Sequence, residues 1–290
     1  MLEKIIKKIT FHTKLILNHP NSLRLAIGYF FLLSGISRFL KIKKGNYKIN
    51  FSRNVLALNC FVDPNSRNEE ELIIKSLLKS GDTYVDVGAN IGTLCLASFK
   101  NINNLSVYAF EANPNTFKTL ERNFKLNQLY DAHTYQVALG EKDQEITFSN
   151  IGTDDQNGVV KEGISYKRTL RVQMKKLDQV VILPKISLLK IDVEGYELFV
   201  LQGALQNLKN CAAIYFEYSP INTSKYNYHP LEIIKLLESL NFSIHIPIFK
   251  NEEIVLTQFL PSNHESDLNL LAINNNSQQS FNKMDYQSIN

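Results

Sequence analysis

The seven residues Asp86-Val87-Gly88-Ala89-Asn90-Ile91-Gly92 constrain the fold of this chain more than any other stretch. An apolar strand pattern, Tyr84 to Val87, runs into them, and a helix-compatible run, Ile91 to Phe99, leaves them. Strand, glycine turn and helix together bring a ligand close to backbone N–H groups at a helix N-terminus. Gly88 permits a turn that a Cβ would hinder, and Gly92 permits close approach of a ligand or a strand to the helix. Asp86, just before the turn, narrows the ligand class: a carboxylate repels a pyrophosphate and attracts an ammonium or sulfonium group.

A dinucleotide site is the natural competitor. Its fingerprint is G-x-G-x-x-G, whereas this loop has Asn90 in place of the middle glycine and reads G-x-x-x-G. A second contact comes from the next strand pattern, Val107 to Phe110, which ends in Glu111. An acidic residue roughly twenty positions after the turn suits the two hydroxyls of an adenosine ribose. S-adenosylmethionine (SAM) and NAD both carry that ribose, so Glu111 supports adenosine without choosing between them. The plain alternative is that Glu111 caps or compensates the helix that follows. That helix has Asn113 as N-cap and Pro114 at its first position. Phe117, Leu120 and Phe124 form its apolar face. SAM answers the Asp86 constraint, since it carries an ammonium and a sulfonium group, and its carboxylate could sit on the helix N-terminus.

A third block, Ile186 to Glu197, is a buried-type strand running into a polar turn. Asp192, Glu194 and Glu197 fall within six residues of one another there, and carboxylates at such a strand end are costly without partners or chemistry. Leu198, Val200, Leu201 and Leu205 continue as a helical apolar pattern around Gly203-Ala204.

With these blocks in hand, the chain resembles the FkbM family of SAM-dependent methyltransferases. The matching residues are Asp86 to Gly92, Phe110-Glu111-Ala112-Asn113-Pro114, Val137-Ala138-Leu139-Gly140, Leu177-Asp178, and Leu189 to Glu197 followed by Val200-Leu201-Gln202-Gly203-Ala204. They occur in the family's order over roughly residues 70 to 220. Ala112 stands where the family commonly has proline. The resemblance implies an α/β class I methyltransferase fold: a Rossmann-like, mostly parallel seven-stranded sheet with a terminal antiparallel hairpin, here with an N-terminal helical extension. It also places the adenine after the third strand, at Val137-Ala138-Leu139, where Ala138 is small enough to admit a ring. Plain strand packing is the alternative for that side chain. The residue patterns agree with the fold, because strands and helices alternate from Thr83 to Tyr218. In such a sheet the ligand lies at the carboxyl ends of the strands, where Asp86, Glu111 and Asp192 fall and where Glu217 ends a further strand, Ala212 to Phe216. The cofactor contacts expected are therefore Asp86, Gly88, Asn90, Gly92, Glu111 and Ala138.

Three function classes follow: an O-methyltransferase acting on a hydroxyl of a sugar, glycan or natural product, which is favoured; a SAM-binding scaffold without catalysis; and an NAD-dependent oxidoreductase, disfavoured by Asp86 and the missing glycine. For a hydroxyl acceptor the enzyme must align the nucleophile behind the methyl group, exclude water and take a proton. Asp192 is the first candidate for base or acceptor-orienting group and Glu194 the second, against the reading that they cap the next helix or pair with Lys190.

The 290 residues leave room for one α/β domain, 46–274, after a helical extension, 1–45, and before an Asn-, Gln- and Ser-rich tail, 275–290, expected to be disordered. A net charge of +4 and no dense basic tract argue against nucleic acid as a partner. Cys60, Cys95 and Cys211 fit neither a disulfide framework nor a zinc site and read as buried thiols of a cytoplasmic protein; no metal site is expected. Lys4, Lys7, Lys8 and Lys14 alternate with apolar residues as in a basic amphipathic helix, and Leu25 to Ser37 is strongly apolar between Arg24 and Arg38. That run is short for a membrane span. A helical cap on the catalytic domain or on a second subunit of a homo-oligomer is favoured, with peripheral membrane contact through residues 1–40 as the alternative. The spacing further predicts a strand pair over Tyr47 to Val62 with its turn near Arg53-Asn54, helices over Glu69 to Leu78 and Pro230 to Leu240, and a substrate-side loop over Ile151 to Lys167.

Overall fold

The computed structural model describes residues 19–150, 157–160, 168–250, 253–261, 266–277 and 284–287. The helix expected over the first eighteen residues and most of the loop 151–167 lie outside them. The chain divides into two compact units, residues 1–66 and 67–290, so the boundary falls twenty-one residues later than the sequence suggests.

In the first unit, helix α1 (Ser22–Ser34) leads through a 3-10 turn (Ile36–Phe39) to strands β1 (Lys41–Lys44) and β2 (Tyr47–Asn50) and helix α2 (Val55–Val62). The strand pair is thus Lys41–Lys44 with Tyr47–Asn50, not a pair within Tyr47–Val62. Two facts decide the difference. Gly45 adopts φ +53°, which permits a two-residue turn between the strands. Asn54 accepts a hydrogen bond from the Ala57 amide and so starts a helix where an apolar run alone is ambiguous. Helix α1 lies on α2 at Gly28, where a Cβ would come within 2.6 Å of Leu58 Cδ1. Phe61 packs edge-on against Phe31 and stacks on Phe51.

The second unit opens with helix α3 (Asn68–Leu77), then β3 (Thr83–Val87), α4 (Thr93–Phe99), β4 (Ser106–Phe110), α5 (Pro114–Leu126), β5 (His133–Tyr135), β6 (Ala138–Leu139), β7 (Gln144–Ser149) and β8 (Thr169–Lys175). It continues with α6 (Leu177–Val180), β9 (Leu188–Ile191), α7 (Glu197–Gln202), α8 (Leu205–Leu208), β10 (Ala213–Tyr218), α9 (Pro220–Ser224), α10 (Leu231–Ser239), β11 (Phe242–Lys250), β12 (Glu253–Gln258), β13 (Leu268–Asn274) and β14 (Met284–Gln287). The main sheet runs β14-β12-β11-β13-β10-β9-β3-β4-β5. Strands β5, β4, β3, β9 and β10 are parallel, and β13 is antiparallel to both β10 and β11. This is the class I methyltransferase sheet with its terminal antiparallel hairpin, extended by β12 and β14. Strand β14 lies in the tail that composition assigns to disorder. An edge strand is added by backbone hydrogen bonds, which composition does not reveal. Strands β6, β7 and β8 form a separate small sheet.

The central strands are buried on both faces, as parallel strands must be; one face is apolar, and the other carries the buried pair Asp86 and Lys190 beside Tyr84 and Tyr215. Val85, Val87, Leu189, Ile191, Ile214 and Phe216 are all fully buried. After β3 the chain builds outward through β4 and β5, then returns to place β9 on the other side of β3. A ligand crevice is expected at such a reversal.

Three of the sequence blocks matched above meet away from that crevice. A Cβ on Gly203 would lie 2.0 Å from the Gly140 carbonyl oxygen, and the Asp178 amide donates to the Gly203 carbonyl. The Asp178 carboxylate accepts from the amides of Gln206 and Asn207 at 2.8 and 3.0 Å and from Asn207 Nδ2 at 2.7 Å. These motifs hold α6, α7 and α8 together. Asp178→Ala is expected to lower the unfolding free energy by about 1–3 kcal/mol through these lost bonds. Urea unfolding would show a lower midpoint with unchanged slope, and an unchanged midpoint would contradict the capping role.

Candidate active site

The loop after β3 is built from left-handed residues: Gly88, Asn90 and Gly92 have φ of +76°, +51° and +82°. A Cβ on Gly88 would fall 2.0 Å from the Asp192 carbonyl oxygen, and one on Gly92 would meet the Phe124 ring at 2.5 Å. The close approaches these glycines permit are therefore to β9 and to α5, within the protein itself. The loop's N–H groups are also engaged by the chain. Gly88 and Ala89 donate to the Phe110 carbonyl, Gly92 to the Ala89 carbonyl, and Asn90 to Glu111 Oε2 at 3.0 Å. The other Glu111 oxygen accepts from the Asn113 amide at 2.8 Å. Glu111 thus ties the loop to the start of α5, as the capping alternative anticipates. A carboxylate has about four lone-pair sites, more than two N–H bonds use. A loop with four of its five amides taken, and a carboxylate bound to one of them, is a poor cradle for pyrophosphate.

Asp86 is buried beneath this loop. Its Oδ1 lies 3.2 Å from Lys190 Nζ, and its Oδ2 accepts from the Cys95 thiol at 3.2 Å. Burial, and then the Asp86 charge, push the Cys95 thiol well up, so it stays a donor. Lys190, in the middle of β9 and fully buried, also reaches Asp192 Oδ2 and the Gly88 carbonyl, each at 3.2 Å. Burial opposes its charge, but Asp192 and Asp86 outweigh that and hold the ammonium above the ordinary lysine range. Asp192, with its side chain 37% exposed, opens to the crevice and has Arg67 Nη2 at 3.8 Å. Partial burial works against its ionisation, and Lys190 and Arg67 prevail, holding the carboxyl below the usual aspartate range.

The turn after β9 has Glu194 at φ +59° and Gly195 at φ +99°. Glu197 is buried and its Oε1 accepts from the Val193 and Gly195 amides, which fixes the turn. Glu194 instead meets α9: Asn222 Nδ2 donates to Glu194 Oε2 at 3.2 Å and to Glu217 Oε2 at 3.0 Å. Burial, then the charges of Asp192 and Glu217, push Glu194 up to about 8 against the pull of Lys225. Glu217 is raised as well, mainly by burial.

Residues 86–244, more than half of the chain, match the family described as the methyltransferase FkbM domain. The chain belongs to the FkbM methyltransferase family. Among relatives, "Methyltransferase 1" of Beauveria bassiana is 28% identical over 141 residues, 41% of this chain and 57% of that protein. "Hexuronic acid methyltransferase AglP" of Haloferax volcanii is 30% identical over 190 residues, 63% of this chain and 74% of that protein. The FkbM match begins at Asp86 and covers the loop, Glu111, Ala138 and the Asp192–Glu197 turn.

Within this FkbM chain the strand ends bring Gly88, Asn90, Glu111, Asp192 and Glu194 toward one end of the sheet. Asp86 lies under them, held by Lys190. Gly92 serves helix packing. Ala138 is buried in the small sheet's apolar cluster with Ile146, Phe148, Val172, Met174 and Tyr196, which is the strand-packing alternative. The pairing of Asp192 with Lys190 is present, whereas among the described residues no side chain caps α7 and Glu197 instead fixes the turn before it. Two residues of this site, Arg67 and Asn222, were not singled out from sequence; Lys190 entered only as a pairing partner of Asp192, and Glu217 only as the end of a strand. A lysine inside Leu188-Leu189-Lys190-Ile191 is itself a signal, because a cation in a doubly buried strand needs a partner. Arg67 and Asn222 reach the site only through the fold.

Glu194 and Glu197, both raised from 4.5 to about 8, bind protons in the folded state that the unfolded chain has released. That contribution to stability is full below pH 4.5 and is lost as pH rises through about 8. Urea unfolding measured at intervals between these values should show stability falling with pH. Glu194→Gln should make the fall shallower, and an unchanged slope in that variant would show that Glu194 titrates normally.

Proposed function

We propose that this protein transfers a methyl group from S-adenosylmethionine to a hydroxyl of a sugar, glycan or natural-product acceptor. The observation that carries this reading is the set of carboxylates at the strand ends: a loop with four of its five amides engaged by its own chain, Glu111 at its edge, and ionised Asp192 on the neighbouring strand end. Such a surface favours a nucleoside bearing positive charge over a pyrophosphate. Glu111 would hold the ribose hydroxyls, and Asp192 would face the cationic part of the donor or orient the acceptor. When bound, SAM supplies a methyl group on a positive sulfur.

The chain's own task is then to place a hydroxyl and take its proton. Asp192 is held ionised by two cations, which makes it a weak base and a strong fixed acceptor of hydrogen bonds. Glu194 is the better-matched base, since a group poised near the working pH is both available and basic. Environments that push two neighbouring carboxyls apart in this way assign them different roles. The Asn222 amide, shared with Glu217, orients Glu194 for it. The name of the AglP relative makes hexuronic acid glycosides the first acceptors to assay.

With a transferable acceptor, the rate should rise as pH passes through about 8, where Glu194 loses its proton. Glu194→Gln should lower kcat by about 10²–10⁴-fold while leaving donor affinity unchanged. A labelled-methyl assay across pH reads both. A near-normal kcat in Glu194→Gln would remove Glu194 as the base.

A further inference from the structure

The first unit carries a surface that methyl transfer does not use. Helix α1 buries Leu25 and Gly28 against its own unit and leaves Leu23, Ile27, Phe30 and Leu33 outside, at spacings of four, three and three. Those spacings place the four side chains on one stripe of a helix. Ile36 and Phe39 of the adjoining 3-10 turn continue the exposed apolar surface. Leu23, Phe30, Leu33 and Phe39 are 60–81% exposed, whereas soluble surfaces normally scatter such residues singly.

The first unit is basic in sequence. Residues 1–66 hold eleven Lys and Arg against Glu3 and Asp63, while residues 67–290 hold twenty-one against twenty-six acidic residues. The +4 of the whole chain therefore hides a strongly basic first unit and an acidic second one. Between Lys4 and Val62 there is no acidic residue at all. Arg24 lies exposed within the helix, and Arg38, Lys41 and Lys43 are exposed just beyond it. Arg38 lies over the Phe39 ring at 4.6 Å, an arrangement in which the cation stays at the edge of an apolar surface.

We propose that this face of α1 and the following turn docks on an anionic lipid surface, with the apolar stripe entering the headgroup boundary and the arginines and lysines meeting lipid phosphates. Charge complementarity selects this occupant over a second copy of the chain. A symmetric pairing would press two like-charged basic faces together, whereas a negative membrane surface attracts them. Among the described residues no helix is long and apolar enough to cross a membrane, so the contact is peripheral.

The test is sedimentation of the full chain with vesicles of phosphatidylcholine containing about one third phosphatidylglycerol, beside vesicles of phosphatidylcholine alone. The double variant Phe30→Ser/Leu33→Ser alters exposed side chains only, and Leu205→Ser, on an exposed site of the second unit, is the control. Expected is binding to the anionic vesicles, weakened by salt, reduced at least about tenfold in the double variant and kept in the control. Equal binding by the double variant would overturn the proposal, since the basic residues would then suffice without this face. Failure of the unaltered chain to bind would overturn it too. Sedimentation equilibrium would then assign the face to a second copy if the chain self-associates and the double variant does not, and to cover by residues 1–18 if neither does.

Discussion

A single buried ammonium organises this site. Lys190 Nζ sits at 3.2 Å from Asp86 Oδ1, from Asp192 Oδ2 and from the Gly88 carbonyl. Those contacts bind the end of β9 to the end of β3, the two strands between which the sheet reverses direction. A charge placed there is tolerable only because each neighbour is an acceptor, and removing one partner of such a buried pair typically costs about 3–5 kcal/mol. Two functional consequences follow. Asp86 is committed to Lys190 and Cys95, so its influence on a ligand passes through the loop above it. Asp192 is kept ionised by Lys190 and Arg67, whereas Glu194 is raised to about 8 by burial and by its acidic neighbours, and the proposed mechanism therefore gives the acceptor's proton to Glu194.

The glycine loop illustrates how one motif shape can serve different ligands. A dinucleotide loop offers its amides to a pyrophosphate. Here the Phe110 carbonyl and Glu111 carboxylate at the end of β4 already accept from Gly88, Ala89 and Asn90. The loop is rigid and electron-rich at its edge. That polarity, rather than the presence of glycines, is what the proposed choice of S-adenosylmethionine over NAD rests on. In the proposed mechanism stability and activity oppose one another: the protons that Glu194 and Glu197 hold in the folded state stabilise it below pH 8, while proton acceptance by Glu194 would require its own proton to leave.

Much of this architecture could be read directly from the residues. Runs such as Leu188 to Ile191, apolar but for Lys190, and Ala213 to Phe216 have the pattern of doubly buried strands, and Asn113-Pro114 marks a helix start by local chemistry alone. The carboxylates at strand ends follow once the strands are parallel. What escaped the sequence depends on contacts distant along the chain. Gly88 and Gly92 look like ligand-facing glycines, but the space that a Cβ would fill is occupied by the Asp192 carbonyl and the Phe124 ring. Arg67 and Asn222 enter the site from α3's cap and from α9, and nothing local marks them. The hairpin in the first unit was displaced because Val55 to Val62 is apolar without a decisive period, so the Asn54 cap settles what periodicity leaves open.

On the proposed reading, the strand ends take an adenosine bearing a positively charged donor group and refuse a pyrophosphate. Isothermal titration of the full chain with S-adenosylhomocysteine and, separately, with NAD tests it most directly, because the two share adenosine and differ in what lies beside it. Saturable binding of S-adenosylhomocysteine is expected, with no heat from NAD at the same concentrations. Binding of NAD, or failure of S-adenosylhomocysteine to bind, would contradict it.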